Sequence, residues 1–384
     1  MCYFGTFFIP EGDWLTRTWH LDEKDIKIVS ALEELGAKIS TEELSQKTGY
    51  PARTVRYRLQ KMRDNNAFWP TRALTHERKL GLGENLLLLR VTPGSDQQIE
   101  NLIKKLDPMY FWSSTYGTYT GYVVNSLYSV TTPHVTRRIA EVFQEKGLVS
   151  DFFIFDITDW EHKLGDFSYL KPVEGWTYDW TSWHSIIEKN LRSRKKKIPT
   201  TCEETPPLVD FDNTDFDIIR AFFDNGDLTQ KEVAKQLALS EAIVAKKIRR
   251  LERERIIKGY LSVLRDWEKM IYFAFFFEVE ESAVNIVSSF YAHPFPGTIM
   301  MESKTRWCVR MDLPSKDLYG FLRGLDIMRP YFKSSAFQVI HTWYSDRDLH
   351  PFDLYNRDTH TWETPVSKYL QTISEVMEKK QSQT

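Results

Sequence analysis

The residues with the most evident chemistry lie in one basic stretch, Pro51–Arg63, with the sequence PARTVRYRLQKMR. Read as a helix, this stretch places Val55, Leu59 and Met62 on one apolar stripe, at spacings i, i+4 and i+7. It holds five Arg or Lys and no acid, and its second stripe is polar and cationic: Arg53, Arg56, Tyr57 and Gln60. A helix that enters a DNA groove needs both stripes, one for docking and one for phosphates and guanine edges. The alternative is a solvated basic face, as in many charge runs.

The sequence before this stretch favours the DNA-groove interpretation. Ser40 and Glu43 form a capping box at the start of a short helix, and a Gly-containing turn ends that helix. Pro51 suits the first turn of the next helix, so the two helices predict a helix-turn-helix. An amphipathic segment, Leu21–Leu35, supplies a third helix with an Asp22 cap, and Phe68–Leu74 is expected to form a wing strand.

The second half of the chain repeats the first. The segment that begins at Leu21 returns at Phe211, 190 positions later, and beyond the loop that follows the shift becomes 189. A second basic helix, Ser240–Glu254, then carries the same apolar stripe, because Val244, Ile248 and Leu251 stand in for Val55, Leu59 and Met62. Internal repeats of this kind decide the architecture of a chain.

After each basic helix the order strand, helix, strand, strand, helix, strand predicts a ferredoxin-like sheet domain. Leu148–Asp159 is expected to be the last strand of the first domain, and Ser282–Tyr291 the first helix of the second. The two tails are expected to repeat as well, each with aromatic residues followed by a helix. The expected fold class is therefore α+β, with two winged helix-turn-helix domains alternating with two ferredoxin-like (βαββαβ) sheet domains in a tandem repeat. The expected domains are an N-terminal extension (1–20), winged helix-turn-helix 1 (21–80), sheet domain 1 (81–165), an aromatic tail and basic linker (166–210), winged helix-turn-helix 2 (211–268), sheet domain 2 (269–346) and a C-terminal tail with a helix (347–384).

The pattern LDEKDIKIVSAL followed by ISTEELSQKTGYPARTVRYRLQKM resembles the N-terminal helix-turn-helix of the Lrp/AsnC (feast/famine) transcription regulators. The second copy is similar too, and its segment IIKGYLSVL resembles that family's wing. The resemblance implies double-stranded DNA as partner and an unidentified small-molecule effector. Family members sense amino acids near an acidic turn, but the matching turns at 117–121 and 303–306 hold no acid, which argues against amino-acid sensing.

The resemblance and the stripes together give ten candidate DNA contacts: Arg53, Arg56, Tyr57, Arg58, Gln60, Lys61, Lys246, Lys247, Arg249 and Arg250. Two alternatives stay open. Proteins resembling this fold also act as siroheme decarboxylases, some as fused copies, and a scaffold with inactive helix-turn-helix units is a third hypothesis. The basic run RSRKKK at 192–197 is interpreted either as a phosphate contact or as a solvated linker segment.

Composition narrows the class of protein further. The 384 residues exceed one typical domain, and a net charge of −2 restricts nucleic-acid binding to local patches. Three widely spaced cysteines argue against a zinc site or a disulfide framework. The sequence has no apolar run of membrane-spanning length and its start is a poor signal peptide. We expect a cytoplasmic protein without membrane partner, cofactor, metal or catalytic site.

The repeat also predicts how the two halves meet. A βαββαβ sheet carries helices on one face only, so its other face must bury against something. We expect the two sheets to pair about a pseudo-two-fold axis, so that one chain imitates a dimer, with Phe153, Phe155 and members of the Phe273–Phe277 run between them. The linker Arg192–Thr214 would also allow two chains to exchange halves, so a homo-oligomer through the sheet domains stays open.

Overall fold

The computed structural model describes residues 21–193, 198–264, 270–341 and 350–381. The first copy contains α1 (Glu23–Leu35), α2 (Thr41–Thr48), α3 (Ala52–Asp64), β1 (Arg72–Thr75), β2 (Leu82–Val91), α4 (Asp96–Ile103), β3 (Met109–Gly117), β4 (Gly121–Ser129), α5 (Val135–Glu145), β5 (Val149–Ile157) and β6 (Asp159–Lys163), with a 3-10 helix at Glu77–Leu80 between β1 and β2. A tail follows with a 3-10 turn (Phe167–Tyr169), β7 (Leu170–Lys171), β8 (Gly175–Trp176) and α6 (Trp180–Arg192).

The second copy repeats this order. It contains α7 (Asn213–Asp224), α8 (Gln230–Gln236), α9 (Glu241–Arg253), β9 (Ile257–Leu261), β10 (Met270–Val279), a 3-10 helix (Glu281–Tyr291), β11 (Gly297–Ser303), β12 (Arg306–Pro314), α10 (Leu318–Met328) and β13 (Phe332–Ile340), with short 3-10 turns at both ends of α10 (Ser315–Asp317 and Arg329–Tyr331). Its tail contains a 3-10 turn (Pro351–Leu354), β14 (Tyr355–Asn356), β15 (Thr361–Trp362) and α11 (Val366–Gln381). The expected parallel between the two tails is confirmed.

The strands of both copies join into one nine-stranded sheet in the order β5-β2-β4-β3-β13-β10-β12-β11-β6. Each copy contributes the strand order 4-1-3-2 of a ferredoxin-like domain, and β3 pairs with β13 where the copies meet. The two end strands are nearly continuous in the chain, since only Thr158 separates β5 from β6. The sheet must therefore fold back on itself, and the two four-stranded halves face each other.

The faces that carry no helices meet in an aromatic core. Phe153 and Phe155 of β5 both contact Phe276 of β10, with ring centroids 5.4 and 5.6 Å apart in edge-on geometry. The alternation of a strand sends Phe273, Phe275 and Phe277 to the opposite face, where they pack under the helices of the second copy. The expected pairing of the two sheets is confirmed.

Three elements differ from the expectations. The segment Leu148–Asp159 was expected to be one strand, but it divides into β5 and β6, and β6 pairs with β11 of the other copy. The helix expected at Ser282–Tyr291 is a 3-10 helix. The wing strand expected at Phe68–Leu74 is shorter and begins later, as β1 (Arg72–Thr75), and it pairs antiparallel with β9 of the other copy.

Each tail crosses to the other copy's sheet domain. Trp183 of α6 stacks on Phe321 of α10 with ring centroids 5.4 Å apart, and its indole N–H donates to the Ser289 carbonyl at 2.7 Å. A Cβ on Gly324 would lie 1.9 Å from the Trp183 ring, so this helix can approach only at glycine. In the same way Tyr369 and Ile373 of α11 complete the core of the first sheet domain.

We expect Phe276→Ala to destabilise the protein by about 3–5 kcal/mol, because it leaves a cavity between two sheets that cannot collapse independently. The measurement is the thermal unfolding midpoint of the full chain. Tyr319→Ala is the matched control, since Tyr319 is 73% exposed and its loss should change stability by less than about 0.5 kcal/mol. Equal shifts in the two variants would contradict the inter-sheet core.

Candidate nucleic-acid interface

The first helix-turn-helix is defined by two capped helices and a glycine turn. The Glu43 amide donates to Ser40 Oγ and the Ser40 amide donates to Glu43 Oε2, both at 3.2 Å, which completes the capping box of α2. Gly49 ends α2 in the left-handed conformation, at φ 73°, and donates its N–H to the Ser45 carbonyl at 2.9 Å. The chain can therefore reverse within two residues and enter α3 at Ala52.

The exposed side of α3 is set by its buried side. Val55, Leu59 and Met62 are buried against α1 and α2 as the spacing predicts. The opposite face turns outward with five exposed cationic or polar side chains: Arg53, Arg56, Tyr57, Gln60 and Lys61. Tyr57 is 67% exposed, which is uncommon for an aromatic residue without a partner surface.

Two members of this face have neighbours within the helix-turn-helix. Arg56 lies 3.3 Å from Glu42 with both side chains two-thirds exposed, and Gln60 donates to Asp64 at 2.8 Å. Such exposed pairs contribute little to stability and exchange readily for other partners. In the part of the chain that the structure describes, Arg53 and Lys61 form no ion pair.

Arg58 does not belong to this face. Its guanidinium donates to both oxygens of Asp22 at 2.7 Å and to Asp25 at 2.8 Å, and only 21% of its side chain is exposed. Asp22 and Asp25 form the capping box of α1, so Arg58 fastens α3 to the start of α1. Burial opposes a low pKa for Asp22, but the hydrogen bond from Arg58 outweighs it and the pKa lies below its ordinary value.

In the second copy the equivalent ion-pair contact between the third helix and the start of the first helix, here called the lock, is formed by different cations. Lys247 donates to Asp212 at 2.7 Å and to Asp215 at 3.0 Å, and Arg250 donates to the other Asp215 oxygen at 2.8 Å. Asp215 is 1% exposed. Arg58, Lys247 and Arg250 therefore leave the set of expected DNA contacts, because each is occupied in an internal ion pair. The sequence signal that could have separated them is the Asp-x-x-Asp pair that opens the first helix of each copy.

α9, the helix of the second copy that is expected to read DNA, presents fewer cationic or polar side chains than α3, its equivalent reading helix in the first copy. Val244, Ile248 and Leu251 are buried as expected, and Lys246 and Arg249 are exposed. At the places of Arg53 and Arg56 this helix has Ala242 and Ala245. The two helices thus offer unlike surfaces on the same scaffold.

A buried ion cluster connects the paired helix-turn-helix units to the sheet. Asp159 of β6 accepts from Lys258 of β9 and lies 3.2 Å from His76 Nε2, and all three side chains are buried. Burial alone would raise the pKa of Asp159, but His76 and Lys258 hold it well below its usual range. The Glu203 amide adds a hydrogen bond at 2.8 Å, so the linker between the copies is attached at the same point.

Two cavities lie near these elements. A cleft of about 740 Å³ opens between the two helix-turn-helix units, and its lining holds five acids (Glu33, Glu34, Glu43, Glu161 and Glu252) and four basic residues (Lys38, His162, Arg255 and Lys258). A smaller cavity of about 150 Å³ lies between the sheets beside the turn at 117–121. There Gln338 holds the turn, because its side chain accepts from the Tyr119 amide at 2.8 Å and donates to the Tyr119 carbonyl at 2.5 Å.

Two regions of the chain match models of known domains. Residues 21–63 match the AsnC-type helix-turn-helix domain, and residues 211–258 match the winged helix-turn-helix DNA-binding domain. The chain carries two helix-turn-helix domains, the first of AsnC type. The resemblance to Lrp/AsnC regulators and the tandem α+β fold class are thereby confirmed, whereas the individual DNA contacts stay a prediction.

Among solved structures, the siroheme decarboxylase NirDL is similar over its whole length, with a TM-score of 0.53, 13% identity, and coverage of 92% of this chain and 100% of that chain. The structure of AsnC from E. coli is similar to one part of the chain, with a TM-score of 0.29, 18% identity, and coverage of 37% and 94%. At these identities the likeness establishes the fold alone. No curated protein sequence matches the chain.

The described residues also limit what the chain offers to a membrane or a metal ion. None of their helices is both long and apolar enough to cross a membrane. They contain no group of three or more His, Cys, Asp or Glu that could hold a metal ion. The basic run at 192–197 lies mostly outside the described residues, so its contact with phosphates stays a prediction.

We expect the Lys247 lock to make stability depend on acidity. Burial raises the pKa of Asp212, but Lys247 outweighs burial and holds it at about 2, below the ordinary 3.8. Because the folded pKa is depressed, this stabilisation is complete above about pH 4 and is lost as the pH falls toward about 2. Lys247→Met should lower the unfolding midpoint at pH 6 and lower it less at pH 3.

The neighbouring Lys246→Met serves as the control for this measurement. Lys246 is exposed on the same helix turn and forms no ion pair within the described part of the chain, so its loss should shift the midpoint equally at both pH values. An equal shift at pH 6 and pH 3 for Lys247→Met as well would show that the lock does not hold Asp212 ionised.

Proposed function

We propose that this chain is a transcription regulator that binds double-stranded DNA with both helix-turn-helix domains. The observation that carries the proposal is the outward face of α3, where Arg53, Arg56 and Lys61 surround the exposed Tyr57. The core of the domain needs only the opposite stripe, so packing does not account for this face. Arg and Lys at such a position suit phosphates and the acceptor edge of guanine.

The charge distribution supports a local footprint. The whole chain has a net charge of −2, so a global field does not draw it to a polyanion. Among the acids next to α3, Asp22 and Asp25 are neutralised by Arg58, and Glu42 forms an exposed pair with Arg56. Within the described residues Arg53 and Lys61 face solvent without an ion pair, and the exposed Arg56–Glu42 pair can exchange for a phosphate, as a phosphate-binding surface requires.

One chain supplies the two reading helices that a single-copy regulator obtains from two subunits. The pairing of β1 with β9 joins the two domains directly, and the facing sheets hold them from behind. We expect the two helix centres to lie about 34 Å apart or a multiple of it, one turn of DNA. Because α3 and α9 present different side chains, the preferred site should be two unlike half-sites and not a palindrome.

We expect Arg53→Ala or Arg56→Ala to reduce the preference between DNA sequences, because a bidentate arginine–guanine contact discriminates by about 1–3 kcal/mol. Lys246→Ala should weaken binding to all sequences alike, since lysine acts more often as a point charge on phosphate. The measurement is selection of sites from random DNA, followed by affinity for the selected and a scrambled site. Lys146→Ala removes an exposed cation from the sheet domain and is the control.

Two results would count against this proposal. Equal loss of preference from the Arg53, Arg56 and Lys246 variants would remove the distinction between the two helices. Failure of the wild-type protein to bind any DNA at low salt, where phosphate contacts are strongest, would favour a scaffold with inactive helix-turn-helix units.

A tetrapyrrole enzyme is the second candidate, and the full-length fold likeness to NirDL favours it. That likeness covers 92% of this chain, which is far more than the similarity to the AsnC structure covers. The substrate of a siroheme decarboxylase carries carboxylates, so its site needs cations. The cleft between the helix-turn-helix units has sufficient volume, but five acids line it. Of its four basic residues, three already have acidic partners: Lys258 with Asp159, Arg255 with Glu203 and His162 with Glu33. This lining does not fit a polycarboxylate.

A spectroscopic titration separates the two candidates. If the chain is a DNA regulator, the purified protein should show no absorption band near about 400 nm, and adding iron uroporphyrin should not perturb the porphyrin spectrum. A saturable spectral change with one or two equivalents of porphyrin would instead support the enzyme. Serum albumin at equal concentration controls for non-specific adsorption of the porphyrin.

A further inference from the structure

The two helix-turn-helix units meet about a pseudo-two-fold axis that is visible in the backbone. The Ala37 amide donates to the Tyr260 carbonyl at 3.1 Å, and the Gly226 amide donates to the Thr71 carbonyl at 2.7 Å. The two hydrogen bonds are equivalent under the repeat, because Gly226 lies 189 positions after Ala37 and Tyr260 lies 189 positions after Thr71. The pair of Arg72 with Leu261, also 189 apart, lies at the axis between β1 and β9.

Besides Arg72, the described part of this interface contains four charged side chains that the repeat pairs in two sets of opposite sign. Lys38 and Arg63 belong to the first copy, and the residues 189 positions later are Asp227 and Glu252. Arg63 Nη2 lies 3.8 Å from Asp227 Oδ1. Burial lowers the pKa of Lys38 to about 8, while the carboxylates of Glu252 and Asp227 act in the opposite direction. Both cations therefore face acids of the other copy.

The surroundings of Lys38 are also specific for the other copy. Its ammonium lies 3.8 Å from the ring centroid of Phe222 and 4.0 Å from that of Tyr260, and it donates to the Leu228 carbonyl at 3.0 Å. Aromatic faces attract a cation, most strongly when it is partly desolvated. In the first copy the counterparts of the two rings are Leu32 and Thr71, which offer no such face.

If either domain paired with a second copy of itself, repulsion between like charges would replace the attraction between opposite charges. Two first-copy domains in the same arrangement would bring together four cations, two Lys38 and two Arg63, and would leave Lys38 without its rings. Two second-copy domains would bring together four acids, with Asp227 against the aromatic faces. Like charges placed across an interface disfavour a wrong partner, which is the established means by which proteins select among similar surfaces.

We propose that Lys38, Arg63, Asp227 and Glu252 form a pairing code, by which the first helix-turn-helix domain accepts the second and rejects another copy of itself. The partner that this surface fits is the opposite half of the chain, whether from the same molecule or from a second one. The proposal does not depend on DNA binding, because it concerns only the contact between the two domains.

Charge exchange in the full chain tests the code. Asp227→Lys with Glu252→Lys places four cations at the interface, and Lys38→Glu with Arg63→Glu places four acids there. These two double variants reproduce within one molecule the charges of the two self-paired arrangements. At low salt each should lower the thermal unfolding midpoint by about 2–4 °C, and salt should reduce the loss. The first double variant keeps Lys38 and its rings, so its loss cannot come from the cation–π contacts.

The decisive comparison is the sign of one change in two backgrounds. Asp227→Lys with Glu252→Lys should lower the midpoint in the wild-type chain but raise it in the Lys38→Glu, Arg63→Glu chain, where it restores opposite charges. Lys105→Glu with Lys146→Glu, two exposed positions of the first sheet domain, matches the change in net charge of Lys38→Glu with Arg63→Glu and should have little effect in either background. The same sign in both backgrounds, or losses no larger than in this control, would overturn the pairing code.

Discussion

The arrangement of this molecule depends on one requirement of the ferredoxin-like domain, the burial of the sheet face that carries no helices. Four strands with helices on one face leave the other face apolar, and a single copy cannot bury it. The chain satisfies this requirement with its own second copy, since Phe153 and Phe155 pack against Phe276. Once the two faces meet, the edges of the sheets meet as well: β3 pairs with β13, and β6 continues the sheet beyond β11. Unpaired edges are then reduced without any additional element.

The same closure determines where the reading helices can lie. Lys258 follows α9 on β9, Asp159 lies on β6, and His76 follows β1, so the buried ion cluster joins both helix-turn-helix units to the closed sheet. Removing one partner of a buried ion pair leaves an uncompensated charge, which is strongly unfavourable. The cluster therefore favours a single placement of the domain pair on the sheet. The exposed faces of α3 and α9 acquire a fixed relation only through this attachment.

The sequence predicted what depends on local pattern. The helix caps at Asp22 and Ser40 and the apolar stripe of α3 all follow from spacing, and the structure contains each of them. The division at Thr158 was not predictable, because the apolar and aromatic run continues through it and only the position of β11 decides where β6 goes.

The candidate site shows the same limit. Arg56 and Arg58 are two residues apart on one helix, and their neighbours in sequence do not distinguish them. What separates them is the angle between their side chains and the presence of Asp22 and Asp25 more than thirty residues upstream. The exposed stripe follows from the helical period, whereas its division into internal locks and free cations requires the tertiary contacts. The role of the charges between the two domains could not be predicted from either copy alone, because it depends on Lys38 lying beside Glu252 and Asp227 of the other copy.

Duplication within one chain explains why some charges keep their sign between copies and others reverse it. The lock inside each domain must function in both, so Asp22 with Arg58 recurs as Asp212 with Lys247. A residue that faces its own counterpart across a true two-fold axis cannot carry a charge without repulsion. In a fused pair the two positions are encoded separately, so one can become basic and the other acidic, as at Lys38 and Asp227. The same freedom acts on the outward faces, where Arg53 and Arg56 have alanine counterparts. Pairing and reading can therefore both become asymmetric while the scaffold beneath them remains nearly symmetric.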